Sequence, residues 1–456
     1  MPYQNRSGRM ERARSTGHVP IVENELVKER LRNFRIFAPD VSEGLREDLL
    51  IDPATLGARE LSTSWVMSFD GSPQEVAARE EYPSTRVGYV QVAGVLVHLS
   101  ELLGQESAHL VDPAVIRAAT QEALHSMVLP GSNVCRQDMP TVRDSWRAEV
   151  FEIFRDYTVE DIPLLDVYMV LVGFSDKRTP GGDVVLARCS ADDTCTARDI
   201  AVGKDGVICP TCGGRLFPTD ALRIHEEVSE EHGNATALGR LMTALEHITL
   251  VAYLYFLSQR QPRVLGSVGF ILDGPLALFG PQAWLHTPIR AFLGDLEATL
   301  RRNNLGCPIV IGVEKGGQFA DHAAAIEREF PRQTLMCLPN DYIYRHILTF
   351  RLAPGAAFGR DTYYGQKFYY KTAQGQMLTI TVPKRAEDVE YPEDPSHYPA
   401  LPATLALLDR LGTSLYEHAL IPVALAHSFA SIPLRTGSKV LTLLSRDLLG
   451  LSGGPR

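Results

Sequence analysis

The sequence predicts an α/β protein, a mixed β-sheet with helices on its faces. Three observations point there. An early pair of apolar, alternating runs, 61–70 and 86–97, reads as two antiparallel strands. Two later apolar runs, 268–272 and 308–313, alternate with helical patterns. A late pair, 368–371 and 377–382, reads as a hairpin. Antiparallel pairing followed by strand–helix alternation is what a mixed sheet requires.

Taken in chain order, residues 1–45 form a basic, weakly patterned arm with one short amphipathic helix over Val22–Phe34. A strand runs from Leu61 to Asp70, a Glu- and Pro-containing loop covers Glu75–Ser84, and a strand returns over Arg86–Val97. Helical patterns cover Pro113–Met127 and Asp144–Phe154, separated by a loop at Leu129–Asn133. The apolar run Leu164–Phe174 reads as a strand. A cysteine-containing segment, 183–218, is rich in Asp, Gly and Thr and reads as a small insertion. A long helical region covers Thr219–Leu257, broken at the C-cap-like pair Gly233-Asn234. A strand ending at Asp273, a helix over Pro288–Arg302, a strand over Pro308–Val313, the late hairpin and a helical stretch over Pro402–Ala430 complete the chain.

The 456 residues exceed one average domain and suffice for a large core. An apolar fraction of 45% and a charged fraction of 22% are those of a soluble globular protein. No uncharged apolar run of about 18 residues is present, so no membrane span is expected. The N-terminus carries Arg6, Arg9, Arg12 and Arg14 with no apolar stretch behind them, so no secretory signal is expected and the location reads as cytoplasmic. A net charge of −10 disfavours a protein that coats duplex DNA by bulk electrostatics. It is compatible with a nucleic-acid enzyme whose site needs acids and whose grip comes from a narrow channel or a partner.

One signal occurs twice. Trp65–Phe69 runs into Asp70-Gly71-Ser72, and Val268–Leu272 runs into Asp273-Gly274-Pro275. Each is a strand-like run that stops at an aspartate before a turn-forming pair. Asp-Gly favours turns on its own account, which is the alternative reading at each place. If the two strands share a sheet, the aspartates can share a divalent metal. Phosphodiester hydrolysis by two metals needs three or four clustered carboxylates. Leu238, Leu241, Leu245 and Ile248 form an apolar stripe at helical spacing, and Glu246 at its edge is the candidate third acid. Its alternative is a solvated helix-surface residue, as is that of the run Glu226, Glu227, Glu230 and Glu231.

Cys189, Cys195, Cys209 and Cys212 are spaced C-x5-C-x13-C-x2-C, and the second half reads Cys-Pro-Thr-Cys-Gly-Gly. Four thiolates make a closed, structural Zn²⁺ site. Unpaired thiols and a disulfide are the alternatives, the latter disfavoured in a reducing compartment. Arg143, Arg147 and Arg155 share a helix face and are candidates for a phosphate path, or a solvated basic face. Tyr363, Tyr364, Tyr369 and Tyr370 are candidates for stacking on single-stranded bases, or cross-strand packing.

Phe69-Asp70-Gly71-Ser72, Phe270–Leu276 with Asp273-Gly274-Pro275, and Ile309–Lys315 together resemble the NurA nucleases over about residues 60–440. The resemblance implies an RNase H-like mixed sheet flanked by helices, here with a zinc-ribbon-like insertion. It divides the chain into an arm at 1–45, a nuclease core at 46–182 and 219–456, and the insertion at 183–218. It implies a Mn²⁺- or Mg²⁺-dependent deoxyribonuclease, a 5′-to-3′ exonuclease and single-strand endonuclease. Such enzymes form homodimers and work on DNA with a HerA-type hexameric ATPase in end processing, and some relatives serve antiphage defence. By carry-over, Asp70, Glu246 and Asp273 are metal ligands, Lys315 sits near the scissile phosphate, and His427 matches a late family histidine. The alternatives are a non-catalytic scaffold that docks an ATPase, and an actin-like phosphotransferase. For the last, Glu314-Lys315-Gly316-Gly317 is the one candidate phosphate loop.

Overall fold

The computed structural model describes residues 18–34, 46–57, 61–79, 81–100, 120–348, 357–384, 394–412, 420–433 and 436–449. Its strands, in chain order, are β1 (Leu50–Ile51), β2 (Trp65–Ala77), β3 (Arg86–His98), β4 (Thr120–Pro130), β5 (Thr158–Val159), β6 (Ile162–Pro163), β7 (Val184–Arg188), β8 (Arg198–Val202), β9 (Val207–Ile208), β10 (Arg215–Leu216), β11 (Val268–Asp273), β12 (Ile309–Glu314), β13 (Thr334–Cys337), β14 (Gly365–Lys371) and β15 (Met377–Pro383).

Nine of them form one sheet in the order β1-β13-β14-β15-β12-β11-β2-β3-β4. β2, β3 and β4 are an antiparallel meander, β11 runs parallel to β2, and β12 runs parallel to β11. Counted along the chain, this half of the sheet is ordered 3-2-1-4-5 with only the second strand reversed, the arrangement of an RNase H-like core. β15 continues the sheet antiparallel to β12. The centre is apolar on both faces because both faces are covered. Val268-Gly269-Phe270-Ile271-Leu272 and Ile309–Val313 are buried throughout, the pattern of parallel strands under helices.

One face carries Met67, Phe69, Phe270 and Leu272 against the long helix Ala235–Arg260 and the helices Val142–Asp156, Leu164–Gly173 and His286–Arg302. The other carries Val66, Ile271, Ile311 and Val313 against the helices Leu401–Leu411 and Ile421–Ala430. The long helix is apolar and long enough to cross a membrane by length and composition, and 61% of that apolar window is buried inside the fold. The cysteine segment is built from two small hairpins, β7–β8 and β9–β10, and packs on the first face.

Several elements differ from the sequence reading. Leu164–Gly173 is a helix, not a strand. Ten apolar residues have no period that separates a buried strand from a helix buried on all sides, and this helix packs against three others. The segment expected to be helical up to Met127 is β4 from Thr120 onward, paired with β3, and the part before Thr120 lies outside the described residues. β4 also absorbs Leu129 and Pro130 from the expected loop. The long helix begins at Ala235 rather than Thr219. Pro218 and the left-handed Arg223 (φ 58°) fold the preceding stretch into two 3₁₀ turns, and Asn234 stands at the start of the helix, not at the end of one. Only part of the N-terminal arm is described, and its helix splits at Asn24, whose side chain accepts from the Leu26 N–H and caps Glu25–Arg32.

Candidate metal centre

The most consequential difference concerns Asp70. β2 does not stop there; it runs on to Ala77, with Asp70 opposite Ala93 of β3. What stops is the strand beside it. Leu272 pairs with Phe69 in the parallel ladder, so Asp273, the last residue of β11, falls level with Asp70. In-register neighbours on parallel strands point to the same face. The two carboxylates therefore share one face at the C-terminal end of β11, where binding sites of open α/β sheets collect.

The helix Ile421–Ala430 crosses that face and supplies His427, whose Nδ1 lies 2.7 Å from Asp70 Oδ2. Asp70, Asp273 and His427 each offer a ligand atom, all within 4.8 Å of one another. Asp70 is buried at 7% exposure while the His427 side chain is 63% exposed, so the group opens to solvent through the histidine. Lys315, just past β12, donates from Nζ to Asp273 Oδ2 at 2.7 Å. It is the cation that balances the cluster.

Glu246 arrives from the opposite face. It is buried at 5% exposure on the long helix, not solvated as a surface residue. It reaches the sheet at Gly71: a Cβ there would lie 2.6 Å from Glu246 Oε1 and 2.6 Å from Met242 Cγ. Gly71 is thus not the turn residue its sequence context suggests. It lies in continuous strand, past the end of the neighbouring β11, and its missing side chain is the opening through which Glu246 approaches. Gly274, by contrast, has φ 131° and does end its strand.

Burial and neighbouring negative charges shift carboxyl titrations upward. Burial first, then the carboxylates of Asp70 and Asp273, hold the Glu246 carboxyl well above its ordinary value, with the Gly71 N–H opposing. Burial and then Asp273 also raise Asp70, against the lowering contact with His427. Asp70, Asp273 and His427 offer oxygen and nitrogen donors that could hold a divalent cation, while Lys315, donating through its ammonium to Asp273, brings charge and no ligand atom.

Not every candidate converges here. Arg147 does not line a phosphate path. It is 4% exposed, its Nε and one terminal nitrogen grip both oxygens of Asp220 at 3.0 and 2.6 Å, and it also holds Asp144 and the Arg215 carbonyl. Arg143 pairs with Asp193 of the cysteine segment and Arg155 with Asp156. The four tyrosines do not stack on bases: Tyr363, Tyr364, Tyr369 and Tyr370 are all buried, and Tyr364 OH lies 2.6 Å from His247 Nδ1. The glutamate run is not a simple solvated face either. Glu230 accepts from the Val142 and Arg143 amides and so caps their helix, and Glu226 and Glu227 are ion-paired.

The four cysteines do meet. Their sulfurs lie within 4.8 Å of one another, with Cys189–Cys212 at 3.6 Å and Cys195–Cys209 at 3.8 Å. These separations are too long for an S–S bond. They match the edge of a tetrahedron whose bonds are about 2.3 Å, the Zn–S length, which gives edges of ~3.8 Å. Amide donors at Cys212 and Thr211 pull the Cys209 thiol down to about 6, favouring thiolate, while burial pushes Cys189 up to about 12. The cluster is compatible with zinc.

The sequence reading missed one charged pair beside the site. Glu314 ends β12 one position beyond the partner of Asp273, and Lys367, 2% exposed, is ion-paired with it. A lysine directly before the aromatic run Phe368-Tyr369-Tyr370 of a buried hairpin strand is the available signal, since an inward-facing charge needs a partner.

No protein-family profile and no curated protein matches this chain. Among solved structures it is similar to one described as the NurA nuclease from Sulfolobus solfataricus, at 9% identity and a TM-score of 0.38, over 95% of this chain and 97% of that one. The site's own chemistry, not this similarity, carries the functional reading.

Proposed function

We propose that the chain is a metal-dependent nuclease of the NurA type, acting on DNA. One observation carries this reading: two aspartates from distant parts of the chain stand level on adjacent parallel strands, with a buried glutamate entering from behind through Gly71. A fold has no structural need for that arrangement. Crowding buried carboxylates costs stability that a bound cation offsets. The same feature argues against the non-catalytic scaffold. The actin-like alternative calls for a glycine-rich phosphate loop after a hairpin, whereas Glu314-Lys315-Gly316-Gly317 joins the parallel strand β12 to the helix Gln318–Ile326.

Asp70, Asp273 and Glu246, with His427 at the rim, would hold divalent cations, Mn²⁺ or Mg²⁺. When bound, such cations neutralise phosphate charge and lower the pKa of water. The chain's own residues do the rest. Asp70 and Asp273 fix the position of the phosphate by fixing what it binds to. Lys315 carries a positive charge to the same point and stabilises charge that builds on the phosphate oxygens. His427, solvent-facing and with Nδ1 held on Asp70, would move a proton at Nε2. The long helix, the sheet and the C-terminal helices bury Asp70 and Glu246, and the cluster meets solvent on the His427 side.

We further propose the activity, partner and setting that follow from this reading. The activity is 5′-to-3′ exonuclease or single-strand endonuclease. The partner is a HerA-type hexameric ATPase, the assembly a homodimer, the location cytoplasmic, and the setting DNA end processing or antiphage defence. Zn²⁺ at the four cysteines holds the 183–218 insertion together and does no chemistry. The test is cleavage of single-stranded and duplex DNA with Mn²⁺ present or absent, alone and with a HerA-type ATPase. Metal-dependent cleavage supports the proposal; none under any of these conditions favours the scaffold.

A further inference from the structure

A second site lies outside the carboxylate cluster. Between the β7–β8 hairpin of the cysteine segment and the 3₁₀ turns at 218–227 is a cleft of about 320 Å³. Four cations line it: Lys177, Arg188, Arg198 and Arg223. Two carboxylates also line it, and neither leaves it neutral. Asp220 is already gripped on both oxygens by Arg147 from the helix side. Glu226 is shared between Arg188 at 2.9 Å and Arg223 at 3.0 and 2.7 Å. Arg198 donates to the carbonyls of Cys195 and Ala197 and, among the described residues, to no carboxylate. With Asp220 neutralised by Arg147, Glu226 alone faces four cations, a marked local excess in a chain of net charge −10.

The cations are held, not scattered. Arg188 immediately precedes Cys189, and Arg198 is tied to the Cys195 carbonyl, so the four-cysteine cluster fixes both. Arg223 has φ 58° and ψ 15°, a left-handed conformation that costs an arginine free energy and accumulates at functional sites. Lys177 lies 5.7 Å from the Trp284 ring centroid. The cleft is too small for a duplex and suits the phosphates of a flexible single strand.

We propose that this cleft binds the phosphodiester backbone of single-stranded nucleic acid, so that the cysteine segment is a strand-holding element. The choice of a nucleic-acid strand over another polyanion rests on the nuclease reading above. Arginine forks match phosphate oxygens, and Glu226 keeps two of them aligned until phosphate arrives.

The experiment is fluorescence anisotropy of labelled oligothymidine with the full chain, zinc-loaded and without Mn²⁺ or Mg²⁺, over a series of salt concentrations. The triple variant R188A/R198A/R223A is expected to bind at least about tenfold more weakly. Its log–log salt slope should be shallower by about 2, since each phosphate contact on a single strand contributes about 0.7. The charge-preserving R188K/R198K/R223K should keep most of the slope, and R301A/R302A on a distant helix should keep all of it. Unchanged affinity and slope in the alanine triple variant overturns the proposal. So does a salt slope in the lysine variant as shallow as that of the alanine variant, with an unchanged melting curve. Inorganic pyrophosphate that displaces the oligonucleotide at far lower phosphate concentration also overturns it, in favour of a small phosphate ligand. Hydrolysis of bis(p-nitrophenyl) phosphate, too short to span both sites, reports the carboxylate cluster separately. Its absence with binding intact sinks the nuclease reading alone.

Discussion

Replacing Glu246 with glutamine should flatten the fall in stability of the metal-free protein as pH rises. The carboxyl is buried, and burial together with Asp70 and Asp273 raises its pKa in the folded state above the ordinary 4.5. The folded protein therefore holds this proton over a range where the unfolded chain has released it. Stability from this group is full below about pH 4.5 and is lost as pH rises towards the raised folded value, at up to about 1.4 kcal/mol per pH unit. Asp70, raised for the same reasons, adds to the slope in the same direction. Glu246→Gln keeps the shape, removes the titration and relieves the repulsion on Asp70. Urea unfolding of metal-depleted, zinc-loaded protein between pH 5 and 8 measures this directly. Wild type should lose stability with rising pH across that window, and the variant should lose markedly less. Mn²⁺ should flatten or invert the wild-type slope, because cations bind the deprotonated acids. An identical slope in both proteins, or a wild type that gains stability with pH in the absence of metal, would refute the reasoning.

Gly71→Ala places a Cβ 2.6 Å from both Glu246 Oε1 and Met242 Cγ, so overpacking of about 1–3 kcal/mol and loss of cleavage are expected, read by urea titration and nuclease assay. Lys315→Ala removes the cation 2.7 Å from Asp273 and should lower single-turnover cleavage about 10²-fold while changing the melting temperature little. Cys209→Ser should lose the bound zinc, counted at about one per wild-type chain by elemental analysis, and should lower the melting temperature.

How much was legible in the sequence depended on the distance over which each residue's reason acts. The strands ending at Asp273 and Glu314, the late hairpin and the cysteine set follow from local pattern, and the structure has them close to where the pattern puts them. Leu164–Gly173 was misread because an apolar run buried on all sides has no period. Arg147 looked like a surface cation because its partner Asp220 is far along the chain. Asp-Gly at 70–71 drew attention for the wrong reason. A turn was expected, but the glycine is there to admit a glutamate from another element. Glu246 itself was reached only through the helical stripe beside it, and nothing local announces that it is buried. The excess of positive charge around Arg223 was invisible for the same reason, since four separate segments bring it together.

The central claim is that Asp70 and Asp273 act together on a phosphodiester. Single-turnover cleavage of end-labelled single-stranded DNA with saturating Mn²⁺ tests it, comparing wild type with Asp70→Asn and Asp273→Asn. Each variant keeps the side chain's shape, so folding can be verified by its melting curve. Wild type should cleave, each variant should lose at least about 10³-fold, and the double variant should be scarcely worse than either single one. Undiminished cleavage by either folded variant would contradict the claim.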